Sequence, residues 1–503
     1  MGKYKIKVNI EMVECNSAEE HEPMKEKDGS FTMTISEQDA ISIDNCERAV
    51  LRTAYPTIRD AVSRHLSEIS EKKAVEKAKT GKVTVNACPY KVDGEVGRFE
   101  FTTHSVSHVD EIQYNTGRDL FAELKGKELY RTIGFKEIAM IYGDTEKSYR
   151  KTTSMINRIR YQAEGGTPHR TLQENTEQEG RKLIEYVERT SKCILQHNGF
   201  SEDGVYLGHK VPDAENQAVR LSNEIVANAV EKCTGDPSIR DEILNNPVPY
   251  EDPENTVNIS TDDVNVKKQK EVRKEPYGSE NMKCKYVHNT VVHVAKGDRS
   301  YTLNGHGIKA VLCYLMAFIF HNSLIGYRFQ FFTDGHKTLN QVILKCFSWY
   351  RNIGIILDWY HLEKKCKERL SLAMKGRVSR NKVLEQLIPL LWYGRTEQAI
   401  DSLKQIEAKS IKSRADLQKL IDYLKRNKVY IPCYAVRKIL GLRNSSNIGE
   451  KTNDLIVSDR QKHNGMSWSK PGSVALASIS SLKRNGETTR WFEKSELVFK
   501  LAA

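Results

Sequence analysis

Apolar positions along this chain change their rhythm several times, and each change predicts a different kind of element. Residues 1 to about 80 mix acidic and polar runs with one apolar-periodic stretch, AVLRTAYPTIRDAVSRHLSEISE, in which Pro56 should interrupt any long helix. The next segment places Val83/Val85 and Phe99/Phe101 at period two with Asp93-Gly94 between them, which predicts two strands joined by a turn. Residues 112–162 return to a helical period. Ile138, Ala139, Ile141 and Tyr142 precede a Gly143-Asp144 break, and a second helix reaches Ile159. Two short helices around a glycine turn resemble a helix-turn-helix, with Lys147, Arg150, Lys151, Arg158 and Arg160 available to phosphates. An ordinary helical hairpin with a wet basic face has the same pattern, and both readings stay open. A more polar helix follows to about residue 200.

From about residue 255 the pattern becomes strand, strand, strand, helix, strand, helix, strand. TVNISTDD reads as a strand running into paired carboxylates, followed by a polar, basic connection, KKQKEVRKEPYGSENMKCK. NTVVHVAKGD and SYTLNG are strands around Gly297-Asp298. GIKAVLCYLMAFIFHNSL is a buried helix, RFQFFTDG a strand ending in a carboxylate, HKTLNQVILKCFSWY a helix, and IGIILDWYHL a strand. Apolar strands covered by helices predict an α/β fold with a mixed sheet. Residues 361–440 are helical throughout, with stripes at Leu384/Leu387/Ile388/Leu391, Ala399/Ile400/Leu403/Ile406 and Leu417/Leu420/Ile421/Leu424. RNSSNIGEKTND then opens a last helix, and GMSWSKPGS closes the core with a turn. The divisions this suggests are an α+β region over 1–110, a helical region over 111–200, a linker or lead-in over 201–254, a core in two parts over 255–360 and 441–503, and a helical insertion over 361–440.

Composition narrows the picture moderately. A chain of 503 residues, 39% hydrophobic and 29% charged, can form two to four domains and is not disordered as a whole. Its net charge of +12 attracts polyanions but does not by itself establish that they are partners. The ten cysteines form no CxxC pair, which gives a zinc knuckle little support and fits a reducing cytoplasm. No signal peptide opens the chain, and the most apolar stretch, residues 308–320, is too short to span a bilayer and carries Lys309.

The candidate chemistry lies in acids at the ends of apolar strands: Asp262 and Asp263 after NIST, and Asp334 after RFQFFT. Open sheets place sites at such edges. Several carboxylates converging from separate elements suit hard divalent ions, which take oxygen ligands and assist phosphoryl transfer. Taken singly, Asp334-Gly335 is as well explained as a turn. Glu450, in a polar helix start with Lys451 and Asp454, is the proposed third acid, and a capped surface helix would look similar. Asp358 and His361 lie where a strand passes into a helix. Asp358 could cap that helix, and His361 could orient a phosphate or the carboxylates. On the same helix Lys364, Lys365, Lys367 and Arg369 could bind phosphates or form solvated pairs such as Glu363 with Lys367.

These residues carry a family resemblance. STDDVNVKKQKEVRK, FFTDG, ILDWYHLEKKCKERL and RNSSNIGEKTNDLIVSDRQKHNGMSWSKPGS make residues 255–480 similar to the catalytic region of bacterial insertion-sequence transposases of the acidic-triad (DDE) class. Within that class they are closest to the group with a helical insertion before the final Glu, a plan shared with Mutator-like and hAT-like transposases. The upstream helices and RTLQENTEQEGRKL also look like the leader of such enzymes. The resemblance implies an RNase H-like mixed sheet with an all-helical insertion, preceded by a mainly helical N-terminal DNA-binding region. It maps the catalytic acids to Asp262, Asp334 and Glu450, with Asp263 an alternative or additional metal ligand. Asp358 and His361 match an auxiliary acid-or-Cys/His signature, and Trp468 has only a structural role. The 72 positions from Asp262 to Asp334 and the 116 from Asp334 to Glu450 are uneven. The helices of 361–440 account for the excess and are expected to protrude as a separate domain.

The implied activity is that of a magnesium-dependent transposase, with Mn²⁺ able to substitute. Water activated at the metals cuts a phosphodiester at the element end, and the freed 3′-hydroxyl attacks target DNA. The partners implied are double-stranded DNA, at element ends and target, and a second copy of the chain in a dimer or larger assembly, in a bacterial cytoplasm and without a membrane. Basic residues expected to meet DNA are Lys147, Arg150, Lys151, Lys267, Lys268, Lys270, Lys364, Lys365, Lys367, Arg369, Arg460 and Lys462. The alternatives are an RNase H-like nuclease without strand transfer, a catalytically inactive DNA-binding descendant, and a scaffold.

Overall fold

A computed structural model describes residues 24–25, 31–32, 42–78, 83–108, 114–121, 124, 129–143, 148–208, 220–270, 285–446, 451–462 and 465–501. The chain divides into two compact units, Met1–Gln178 and Glu179–Ala503. Both are mixtures of helix and sheet.

The first unit begins with a short antiparallel pair, β1 (Met24–Lys25) and β2 (Phe31–Thr32). Helix α1 (Ile43–Ala78) runs 36 residues, straight past Pro56. The interruption expected from that proline does not occur. A proline removes one backbone donor from a helix, and here the hydroxyls of Thr53 and Thr57 add donors beside it, to the carbonyls of Ala49 (2.9 Å) and Thr53 (2.8 Å). Tertiary bonds then hold the helix on its sheet. Ser63 donates to the Glu100 carbonyl, Ser67 Oγ accepts from Thr102 N at 2.9 Å, and Ser70 bonds Thr116 at 2.6 Å.

The hairpin expected over 83–101 is present and longer. β3 (Val83–Gly94) and β4 (Gly97–His108) pair antiparallel from Val83↔His108 to Gly94↔Gly97. β5 (Tyr114–Asn115) and β6 (Leu129–Arg131) complete a four-stranded sheet of order β5-β4-β3-β6 over a small core of Val92, Phe101 and Leu124. Buried Asp93 anchors the hairpin end through two bonds from Arg98 (2.8 and 2.9 Å) and one from Thr167 (2.9 Å). Helices α2 (Ile133–Gly143) and α3 (Tyr149–Ile159) are the expected pair, and Ser148 caps α3 through Lys151 N. Helix α4 (His169–His197) runs from the first unit into the second.

In the second unit, residues 201–254 are more than a linker. They contain α5 (Asn223–Cys233) and α6 (Pro237–Leu244), whose Ala229, Val230 and Ile243 share a buried cluster with Cys433, Val436 and Leu442. Five strands follow: β7 (Thr256–Lys267), β8 (Tyr286–Lys296), β9 (Arg299–Gly305), β10 (Arg328–Thr333) and β11 (Ile353–Leu357). The sheet order is β11-β10-β7-β8-β9. β7, β8 and β9 form an antiparallel meander, and β10 and β11 are added parallel to β7 on its other side. Helix α7 (Ile308–His321) lies between β9 and β10 in the chain, and α8 (Lys337–Cys346) between β10 and β11. Val257, Ile259, Val292, Val294, Phe329 and Phe331 from the strands meet Leu312, Leu315, Phe318 and Ile319 of α7 in the largest core. This is the element order read from the sequence.

The helices after the sheet are α9 (Trp359–Ala373), α10 (Gly376–Trp392), α11 (Thr396–Lys404), α12 (Arg414–Asn427) and α13 (Tyr434–Ile439). They do not protrude as a body of their own. Leu362, Leu370, Leu387, Leu420 and Leu424 form one cluster with Phe332, Ile356 and Leu357 of the sheet. The apolar stripes of the helices need a partner surface, and β10 and β11 supply it. Helices α14 (Lys470–Arg484) and α15 (Thr488–Lys494) end the chain, with Asn289 and Asn304 of β8 and β9 bonded to Ser473 and Ser478 of α14. Among the described residues no helix is long and apolar enough to cross a membrane.

Candidate active site

The first acid does not sit at a strand end. β7 continues for five residues past Asp262, because Val264 and Val266 are buried while Asp263, Asn265 and Lys267 alternate with them toward solvent. The same alternation separates the two neighbouring acids. Asp262 lines a cavity with Ser260, Phe332, Thr333, Asp334, His361, His293, Ser446 and Asn453. Asp263 points to the opposite face, where Thr290 donates to its carboxylate. It is therefore not placed to act as a ligand beside Asp262, contrary to the sequence expectation.

Asp334 follows the last residue of β10, the strand hydrogen-bonded to β7 in parallel, and faces the same cavity. Its turn is fixed from several sides. Its Oδ1 accepts from His336 N at 2.8 Å, its carbonyl accepts from the Tyr423 hydroxyl at 3.0 Å, and the Arg426 guanidinium donates to the Gly335 carbonyl at 3.5 Å. Gly335 holds φ +78°, and a Cβ there would lie 2.8 Å from Leu357 Cδ1 and 2.9 Å from Asn427 Nδ2. Only glycine meets both conditions without strain. Helix α12 thus presses on the turn that carries the second acid.

Asp262 is half-buried, and Asn453 Nδ2 donates to its Oδ2 at 2.8 Å. Burial raises its pKa above the ordinary carboxylate value; His361 opposes the shift and the neighbouring charge of Asp334 adds to it. Among the described residues neither Asp262 nor Asp334 is ion-paired to Lys or Arg. Two like-charged groups lining one cavity, with burial already set against the charge of Asp262, are a setting that a cation relieves. Among the described residues, however, no three of His, Cys, Asp and Glu are grouped to hold a metal ion. Glu450, the expected third acid, lies outside the described residues, as does Lys147.

Asp358 has the capping position expected of it. It is buried, its Oδ1 accepts from His361 N at 3.1 Å at the start of α9, and its Oδ2 accepts from Ser446 N and from Ser446 Oγ (2.7 Å). It therefore fastens the chain at Ser446 to the helix that presents His361. His361 lines the cavity directly.

Sequence reasoning missed Ser446, Asn453 and His293. The first two are short polar side chains in a polar stretch with nothing local to single them out. His293 sits in an apolar strand, NTVVHVAK, where a lone histidine has no motif around it. It is buried, its Nδ1 lies 3.3 Å from Thr302 Oγ1, and its Nε2 has no hydrogen-bond partner among the described residues. Burial, with the charges of Arg484 and Arg443 behind it, pushes its pKa down to about 4.

The expected DNA-contacting residues separate by exposure. Arg150, Lys151, Lys267, Lys364, Lys367 and Lys462 are exposed, and Lys268, Lys270, Lys365 and Arg369 are half-buried. Lys367 pairs with Glu363 at 2.7 Å and Arg369 with Asp416 at 3.4 Å, so solvated pairing accounts for part of that helix. Arg460 is buried over the Trp468 ring at 5.2 Å and cannot reach a phosphate from there. Arg160 is likewise buried, over the Phe135 ring at 5.4 Å. Trp468 is structural: its N donates to the Lys267 carbonyl at 2.9 Å, and its indole donates to the Gln461 carbonyl at 3.2 Å. Compared with known proteins, the chain matches no family model, no curated protein and no solved structure.

Proposed function

We propose that this chain is a DNA transposase of the acidic-triad kind, cutting phosphodiesters at element ends and joining the freed 3′ ends to target DNA, with its second unit built on an RNase H-like core. One juxtaposition carries the reading. Asp262 in β7 and Asp334, which directly follows the adjacent parallel strand β10, are 72 positions apart in sequence and line one cavity with His361. The strand order supports it as well: a three-stranded meander extended beside its first strand by two parallel strands, each preceded by a helix, is the plan of an RNase H-like sheet. The long helical stretch before residue 450 and the Asp358/His361 pair are in keeping with the same class.

The donor chemistry fits a hard divalent ion, since two carboxylates of like charge face one cavity with an amide and a hydroxyl beside them. In this proposal Asp262, Asp334 and Glu450 hold Mg²⁺, with Mn²⁺ able to substitute. Ser446 and Asn453, on either side of Glu450 in the sequence, both line that cavity. When bound, the metal would supply charge neutralisation at phosphorus and a water of lowered pKa. The chain's own residues contribute position. Asn453 fixes one oxygen of Asp262, His336 N fixes one oxygen of Asp334, and Asp358 holds Ser446 against α9. Cutting two ends requires two such sites, so a homodimer or larger assembly belongs to the proposal. Helices α2 and α3, with exposed Arg150 and Lys151, are its proposed reader of element ends.

The test is a joining assay with a labelled, pre-cut DNA end and a target plasmid in Mg²⁺. The parent chain should yield joined product, and Asp334→Asn should reduce it by about a hundredfold or more, the scale set by losing a group that stabilises charge in the transition state. Hydrolysis without joining would move the reading to a nuclease. Joining that survives both Asp262→Asn and Asp334→Asn would overturn the site.

A further inference from the structure

The positive charge of this chain is concentrated. Residues 361–440 hold 19 Lys and Arg against 8 Asp and Glu, a net +11 within a chain whose total is +12. Several of these cations are neutralised where they stand: Lys367 by Glu363, Arg369 and Lys419 by Asp416, Lys404 by Asp401, Lys428 by Glu397, and Arg437 by Glu251. At one end of the helical stretch they are not. Lys375, Arg377, Lys412 and Arg414 are all exposed, and among the described residues none of them makes an ion pair.

The backbone gathers these four. The junction between α9 and α10 is stitched to the junction between α11 and α12. Lys375 N donates to the Ser410 carbonyl at 2.9 Å, and Lys412 N and Ser413 N donate to the Ala373 carbonyl at 2.7 and 3.1 Å, around an antiparallel bridge of Met374 with Ile411. Two loops far apart in sequence become one tip. Val378, 84% exposed, and Leu372, 53% exposed, stand beside the cations. Like charges held close together repel, and a run of phosphates relieves that cost while releasing condensed counterions.

We propose that this tip, formed by Lys375, Arg377, Lys412 and Arg414, is a docking surface for the phosphate backbone of duplex DNA, separate from the cavity of Asp262 and Asp334. The choice of duplex DNA rests on the transposase reading; the charge and the stitched geometry do not depend on it. The tip grips without reading sequence, since four flexible cations contact phosphates and not base edges.

The experiment uses the full chain and a labelled 30-base-pair duplex, with binding followed by fluorescence anisotropy between 50 and 200 mM salt. Variant K375A/R377A/K412A/R414A should bind at least about tenfold more weakly at the low-salt end. Its log–log salt slope should be shallower by about 3, close to one unit per lost phosphate contact. K404A/K419A, which removes two exposed but paired cations, should shift affinity less than about twofold. All the altered side chains are exposed, and an unchanged circular dichroism melt would exclude misfolding as the cause. Unchanged affinity and slope in the quadruple variant would overturn the proposal, as would tip-dependent binding to phosphatidylserine vesicles or to RNA without binding to duplex DNA. Tip-dependent duplex binding by a chain that never cuts or joins would sustain the tip and sink the transposase reading.

Discussion

Replacing Asp358 by alanine should loosen the candidate site without touching either of the acids that line it. The carboxylate accepts three bonds: from His361 N at 3.1 Å as the cap of α9, from Ser446 Oγ at 2.7 Å, and from Ser446 N. Losing an N-cap costs about 1 kcal/mol. Each donor left without a partner adds about 1 kcal/mol at a half-buried residue such as Ser446, the low end of the range for buried groups. Asp358→Ala should therefore destabilise the second unit by roughly 3 kcal/mol, and Asp358→Asn, which keeps one acceptor oxygen, by about half of that. Chemical denaturation followed by tryptophan fluorescence reports this locally, because Trp359 packs against Trp392 and Tyr434 with ring centroids 4.7 and 4.9 Å away. Amide exchange at Ser446 should accelerate in the same variant. Combining it with Ser446→Gly should recover about 1 kcal/mol of coupling between the two positions. A loss below about 1 kcal/mol together with unchanged exchange at Ser446 would refute the reasoning.

Three further perturbations test separate parts of the physics. Asp262 has a raised pKa, so the folded chain binds more protons than the unfolded one and this group costs stability as pH rises above about 4, the ordinary carboxylate value. Asp262→Asn should therefore raise the melting temperature at neutral pH, and a lowered melting temperature would contradict the burial argument. His293 has the opposite sign. With its pKa pushed down to about 4 it stays neutral in the fold, and the stability this contributes above pH 6.5 is lost as pH falls from 6.5 toward 4, amounting to about 3 kcal/mol. In His293→Phe that part of the pH–stability curve should flatten, and a curve matching the parent's would rule the assignment out. Glu251→Ala strips the carboxylate that holds buried Arg437 by two bonds of 2.5 Å, and should cost about 3–5 kcal/mol in urea denaturation. A cost under 1 kcal/mol would mean that the guanidinium finds other acceptors.

Much of the second unit was legible because its strands are short apolar runs with helices between them. The seven-element order from residue 255 to 360, the buried helix whose interior face runs from Val311 to Ile319 and the capping role of Asp358 all follow from local pattern. The end of β7 was misplaced for a local reason too: Val264 and Val266 alternate with polar residues, but the basic run after them pulled the boundary back to the acids. That error matters, because an acid within a strand is aimed by the pleat, and the pleat is what separates Asp262 from Asp263. Contacts across long stretches of sequence were not legible. Nothing near Asn453 announces its bond to Asp262, 191 positions away, and nothing in α12 announces that Tyr423 holds the carbonyl of Asp334. The stripes of 361–440 were correctly read as helices. Their partner was not, because an amphipathic stripe says that a face is buried without saying against what. Pro56 misled in the same way, since its cost was local and the serine bonds that outweigh it come from the sheet.

The joint core of the helical stretch and the sheet has a consequence for how such a chain could be built or reshaped. Phe332, Ile356 and Leu357 share one apolar cluster, and apart from Val248 their partners in it all lie between Trp359 and Tyr434, after them in the chain. Excising residues 361–440 would not yield a smaller stable chain; it would expose Phe332, Ile356 and Leu357 to water and release the Asp334 turn from α12. Lengthening belongs instead at the stitched loops near Lys375 and Lys412, where added residues would extend into solvent and leave the shared interior closed.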